Sequence, residues 1–191
     1  MTQQDHASPT APSEDEPLPS GIQPELNADH AWKLLSLVNE WIRHADSKAT
    51  ATLAFTGALG ALLYNLVKNL ADTGLCLDAL VVLTCALLGS ATILCGLTLA
   101  PRTHDQEAHP DEINRIFFGS ISKHYQGRRP EYRDVLSTLT SDPQELVRDL
   151  ADQIHANARI AAQKNTCAKW AIRSVLAAGL GLAVISMLIA N

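Results

Sequence analysis

The sequence predicts an all-α membrane protein. Three transmembrane helices would carry a small cytoplasmic helical bundle, formed by helix extensions and by the connection between spans 2 and 3. Three observations predict this. The stretches 49–67, 79–100 and 174–191 are apolar and carry no charge. No segment alternates apolar and polar residues as a half-buried strand does. The polar segments beside the apolar ones repeat their hydrophobic residues at helical spacing. A spanning helix needs roughly 20 mostly apolar residues at about 1.5 Å of rise each. Stretch 79–100 meets that unaided. The other two are lengthened by Lys48, Lys68, Lys169, Trp170 and Arg173, whose polar ends reach the headgroups.

The chain has 191 residues and a net charge of −5. Three spans leave roughly a hundred residues outside lipid, too few for a large soluble enzyme domain. The mild acidity gives no reason to expect a nucleic-acid partner. Residues 1–28 hold five of the nine prolines together with Asp5, Glu14, Asp15 and Glu16. They show no apolar period and are expected to form a disordered acidic tail. They contain neither a basic n-region nor an apolar h-region, so the first span is expected to act as the membrane signal. Cys76, Cys85, Cys95 and Cys167 form no CxxC pair, which speaks against a zinc site or a structural disulfide.

Asp29 can cap a helix starting near His30. Leu34, Leu35, Val38, Trp41, Ile42, Ala45 and Ala49 then recur at helical spacing. The amphipathic segment 29–48 meets no Gly or Pro before Gly57, so it should continue into span 1 (49–68) as one rod of about 40 residues. A hairpin is expected at 69–78, span 2 at 79–100, a cytoplasmic helical region at 101–168 and span 3 at 169–190. Within 101–168, Ile113, Ile116, Phe117 and Ile121 suggest one helix, and Tyr132, Val135, Leu136 and Leu139 a second. Asp142, Pro143 and Glu145 open a third in a box-like arrangement, with Leu146, Leu150, Ile154, Ala158 and Ala161 on its apolar face. Nothing stops that helix before Trp170. Neither a β-roll cyclic-nucleotide domain nor a Rossmann unit fits this pattern.

The connection 102–169 holds ten of the fifteen Lys and Arg residues, and the hairpin holds none. The positive-inside tendency puts the N-terminus and the connection in the cytoplasm, with the hairpin and the C-terminus outside. No Asp, Glu, Lys, Arg or His lies at mid-membrane depth, where a transporter would normally show one. Small residues at one-turn spacing, Gly57 with Ala61 and Ala177 with Gly181, allow close helix packing. That packing serves a homo-oligomer or simply joins the three spans of one chain, and both readings stand.

Two basic groups are candidate ligand sites. Arg128 and Arg129 lie with Lys123 and Tyr125 around the Gly127–Pro130 break. Guanidinium forks suit phosphate, and an aromatic ring can stack on a base. The alternative is a loop that touches anionic lipid. Arg43 and Lys48 precede span 1 beside His44 and Asp46. A carboxylate this close to lipid needs a partner, and Arg159 or Lys164 can supply it. Segment 104–112 holds metal-type side chains, but at a spacing that fits no site. No P-loop, nucleophile motif or Ser/His/Asp set is present, so no catalytic residue, metal or cofactor is expected and the chain does not read as an enzyme.

Three segments carry a family resemblance: Trp41-Ile42-Arg43-His44-Ala45-Asp46-Ser47-Lys48-Ala49, Arg115-Ile116-Phe117-Phe118-Gly119, and Asp149 to His155 continuing through Ile160-Ala161-Ala162-Gln163-Lys164. Their order, and their placement against the spans, resembles the transmembrane effectors of the bacterial anti-phage system Pycsar over residues 30–190. The resemblance implies an inner-membrane protein whose ligand is cyclic UMP or cyclic CMP, made by a partner pyrimidine cyclase. It further implies loss of membrane integrity and abortive infection by cell death. The phosphodiester would then sit near Arg128 and Arg129, or near Arg43 and Lys48. Two rivals remain: a non-gated membrane scaffold and a small constitutive membrane toxin.

Overall fold

The computed structural model describes residues 27–68, 74–101 and 114–190, and these are helical with no strand. The acidic-tail expectation and segment 104–112 lie outside the described residues. Helix α1 spans Ala28–Val67, 40 residues without a break. Its N-cap is Asn27 rather than Asp29: the Asn27 Oδ1 accepts from the Asp29 N–H at 3.0 Å. Asp29 instead places a negative charge in the first turn, where the helix dipole favours it. Helix α2 runs Leu75–Leu99 from an extended Gly74, so it begins four residues before the expected span.

Ile116 and Phe117 were expected inside a helix; the structure corrects this. The side chain of Asn114 accepts from the N–H groups of Ile116 and Phe117, both at 3.0 Å, and this turn holds the segment off helical geometry. Helix α3 is therefore confined to Phe118–His124. Gly127 takes φ +76°, and helix α4 follows at Arg129–Ser141. Helix α5, Pro143–Ala190, is 48 residues long. Asp142 caps it, accepting from the N–H groups of Gln144 at 2.9 Å and Glu145 at 3.3 Å.

α1, α2 and α5 are each long and apolar enough to cross a membrane. α5 packs against both of the others, and α4 rests on its polar half. α1 and α5 run in the same direction. Asn39 meets Asn157 and Asp46 meets Lys164, both pairs 118 residues apart in sequence. The buried positions of α1 step as Leu35, Val38, Ala45, Ala49, Thr56, Leu59 and Leu63. From Ala161 onward, those of α5 step as Ala161, Lys164, Ala168, Ala171, Val175, Ala178, Leu182 and Ile185. Steps alternating three and four residues make a 3.5-residue period, which drives two parallel helices into a left-handed supercoil.

The membrane half of this pair is apolar. Leu59, Leu63, Leu88, Ala91, Val175, Ala178, Leu182 and Ile185 form one core, and Ala49, Cys95 and Ala171 close it at the polar end. Hydroxyls in the spans bond back to their own helices: Thr56 to the Thr52 carbonyl, Thr84 to Leu80 and Thr98 to Leu94, at 2.8 to 2.9 Å. Their polarity is thus satisfied within each helix.

Candidate functional site

Above the Ala49–Cys95–Ala171 layer, the α1–α5 seam changes character. A cleft of ≈ 550 Å³ opens between the polar halves of the two helices and the segment ahead of α3. That volume lies in the range of small-ligand sites, roughly 300–1,000 Å³. Trp32, Leu35 and Ile42 line it from α1, Ile160 from α5, Ile116 and Phe117 from the segment ahead of α3, and Phe118 from the start of α3. Its polar groups are Asn39, Gln153, Asn157 and Lys164.

The amides form a chain. Gln153 donates to the Asn157 side-chain oxygen at 2.8 Å, and Asn157 donates to that of Asn39 at 2.8 Å. At the floor, the Lys164 ammonium donates to the Asp46 carboxylate at 2.6 Å, with the Lys164 side chain 7% exposed and that of Asp46 34%. Asp46 stands three residues before Ala49, so this ion pair lies about 4.5 Å along the helix from the apolar layer.

An ion-pair clamp fixes the wall made by 114–118. The Arg115 guanidinium binds both Asp149 oxygens at 2.9 Å and Glu145 at 2.7 Å. Asn114 donates to the Asp149 carbonyl at 3.0 Å, and Tyr132 donates from α4 to the Arg115 carbonyl at 3.3 Å. Hydrogen bonds that Arg115 donates to Asp149 first and Glu145 second push its pKa above the ordinary value, which holds the guanidinium charged. Phe117 is seated over Gly119, where an added Cβ would come within 2.6 Å of the ring.

The residues singled out from sequence fall in two other places. Arg43 and Lys48 are exposed on α1, beside the seam but outside the cleft lining. Lys123, Tyr125, Arg128 and Arg129 gather around the α3–α4 turn. There Arg128 donates to Glu131 at 3.2 Å and to the His124 carbonyl, while Arg129 and Lys123 point to solvent and the Tyr125 ring lies 5.2 Å from that of Tyr132. Lys164 is the partner that the position of Asp46 required.

The cleft residues Trp32, Asn39, Gln153 and Asn157 went unnoticed in the sequence reading. The signal was there: Gln153, Asn157 and Lys164 continue the buried register of α5 with polar side chains, and Asn39 and Asp46 sit one heptad apart on α1. Among the described residues, no group of three or more His, Cys, Asp or Glu converges to hold a metal.

Fold and cleft together define a small three-span helical membrane protein that carries a ligand-sized cleft on the helices that cross the bilayer. Residues 30–190 match the family model of the Pycsar effector protein domain. The chain is also 34% identical over 172 residues to the Pycsar effector protein PtPycTM of Propioniciclava tarda, covering 90% of this chain and 83% of that protein. No solved structure matches. The chain belongs to the Pycsar effectors, transmembrane proteins of anti-phage defence.

Proposed function

We propose that this protein is a ligand-gated membrane effector: a cyclic pyrimidine nucleotide, cyclic UMP or cyclic CMP, binds its cytoplasmic end and the spans then impair inner-membrane integrity, so that the infected cell dies. The observation that carries this reading is helix continuity. α1 and α5 run unbroken from the cleft into the apolar bundle, so a change of seam geometry at one end is delivered into lipid at the other. The N-terminus and the α3–α4 region lie in the cytoplasm on this reading, where a cyclase product can reach the cleft. Gly57 and Ala61 face away from the core of one chain and suit packing between copies, which makes a homo-oligomer the disruptive species.

The cleft suits the ligand chemically. Rings of Trp32, Phe117 and Phe118 offer stacking faces for a base. The Asn39–Asn157–Gln153 amides offer donors and acceptors to a pyrimidine edge, and Lys164 a cation to the phosphodiester. The exposed Arg129 beside Arg128, Lys123 and Tyr125 favours the α3–α4 turn as a second place for the nucleotide, with Arg43 and Lys48 on α1 as a third. Loss of nucleotide binding in Asn157→Ala with binding retained in Arg128→Ala/Arg129→Ala supports the cleft; the reverse moves the ligand to the turn.

The function is tested by membrane potential in cells expressing the full chain, with cyclic UMP or cyclic CMP supplied inside. Depolarisation with one nucleotide and not the other is expected. No response to either, with the protein present in the membrane, overturns the proposal in favour of a scaffold. Depolarisation without any messenger identifies a constitutive toxin instead.

A further inference from the structure

We infer that the Asp46 carboxylate occupies the phosphate subsite of the cleft in the resting protein, and that the ligand's phosphodiester opens the α1–α5 pair by taking Lys164 from it. This rests on the nucleotide reading above and adds how binding is converted into movement.

Among the described residues that line the cleft, Lys164 is the one cation. Its side chain is nearly buried, and its ammonium is held by Asp46 at 2.6 Å. A buried ammonium is tolerated only with a counter-ion, and a carboxylate meets that need in the absence of ligand. An anionic ligand in the cleft brings a second negative charge to the same ammonium. Two anions crowded on one cation repel each other, so the phosphodiester and Asp46 compete. When the phosphodiester wins, Asp46 is left half-buried without its partner, and its lowest-energy course is toward water. Asp46 is part of α1, so that movement separates α1 from α5.

The surroundings fit this use. Below the ion pair the α1–α5 core is apolar from Ala49 and Ala171 onward. Two polar contacts at one common offset join the rods, this ion pair and, above it, Asn39 with Asn157. Polar pairs at positions that flank the apolar seam of a supercoil set how its two helices pair. The distal half of the rod pair is therefore held in one register by groups that a polar ligand can recruit, while the membrane half stays packed. The lever begins one helical turn from the Ala49 layer, so little of the displacement is lost before lipid.

Competition is reciprocal: if the ligand weakens the ion pair, the ion pair weakens the ligand by the same factor. Removing the Asp46 charge while keeping its shape must then tighten binding, and removing the Lys164 charge must abolish it. The test is the affinity of the purified full chain in detergent for cyclic UMP and cyclic CMP, measured for wild type, Asp46→Asn, Lys164→Met and Lys164→Arg. Asp46→Asn is expected to bind about tenfold tighter than wild type, the scale of an ordinary coupling between sites. Lys164→Met is expected to lose binding and Lys164→Arg to keep it. Opposite effects from the two partners of one ion pair are the signature, because a merely structural pair weakens binding whichever partner is removed. If Asp46→Asn binds no tighter while wild type binds, the competition is overturned and the nucleotide reading stands. If wild type binds neither nucleotide, both fall. Lys164→Arg guards against misfolding: if it too loses binding while retaining the wild-type melting temperature, the inference is overturned.

Discussion

Gly181 shows how single atoms set the spacing of the spans. A Cβ added there would lie 2.6 Å from the Thr84 Oγ1, and Thr84 is a β-branched residue whose hydroxyl already donates to the Leu80 carbonyl at 2.8 Å. The hydroxyl has no free rotamer to yield into without losing that bond in lipid. Gly181→Val is therefore expected to destabilise the α2–α5 packing by about 1–3 kcal/mol, the usual cost of overfilling a packed core. Thermal unfolding in detergent reads it. Thr84→Ala in the same chain should recover most of the loss, because it removes the clashing atoms; additive losses would place the strain elsewhere. Gly57, Gly60, Gly89 and Gly96 meet nothing within 4 Å, so alanine at those positions leaves the packing within one chain untouched. Spacing alone did not separate these roles: Gly57 with Ala61 and Ala177 with Gly181 look alike in the sequence, yet of the two glycines Gly181 has its missing Cβ marked by a neighbouring helix and Gly57 does not.

At the scale of elements, the α1–α5 pair is a parallel supercoil with an apolar half and a polar half, and its polar contacts can be removed by design. Asn39 is exposed and Asn157 half-buried, so Asn39→Leu with Asn157→Leu replaces a hydrogen-bonded amide pair at the rim of the seam by two apolar side chains that can touch across it. The double variant should melt at or above the wild-type temperature and respond less to the cyclic nucleotide, since a closed seam resists the ligand. A variant that melts lower shows that the Asn39–Asn157 hydrogen bond holds the seam better than apolar contact does. Much of this architecture was legible in the sequence. The absence of Gly and Pro between the polar and apolar segments foretold both rods, and the nearness of Asp46 to lipid foretold its need for Arg159 or Lys164, of which the structure supplies Lys164. What misled was the period. Read at 3.6 residues, Leu34 and Trp41 join the buried face of α1; at the 3.5-residue period of a supercoil they leave it, and both are nearly half exposed. Polarity hid Gln153, which is buried on α5 all the same. Asn114 was equally opaque, because an Asx turn that stops a helix at Ile116 competes locally with a good apolar pattern.

The whole molecule is asymmetric about the bilayer. At about 1.5 Å of rise per residue, the 40 residues of α1 and the 48 of α5 reach roughly 60 and 72 Å, against a hydrocarbon core of about 30 Å. Each rod therefore has about half its length outside lipid, and both put that half at their N-terminal end. The cleft, the Arg115 clamp and α4 all share this side, while the start of α2 lies on the other. The positive-inside tendency assigns the cleft side to the cytoplasm. Cysteine chemistry tests that assignment with residues the chain already has. Cys76 is exposed in the first turn of α2, whereas Cys85 and Cys95 lie deeper in that span, where a water-borne reagent does not reach. In a chain with Cys85, Cys95 and Cys167 replaced by Ser, a membrane-impermeant maleimide should label Cys76 in intact spheroplasts. The same background with Cys76→Ser and Ser122→Cys, a position exposed on α3, should label only after the membrane is permeabilised. The reversed pattern would put the cleft outside the cell. A messenger made in the cytoplasm could not then reach Lys164, so this one labelling result also decides whether a gated effector is physically possible.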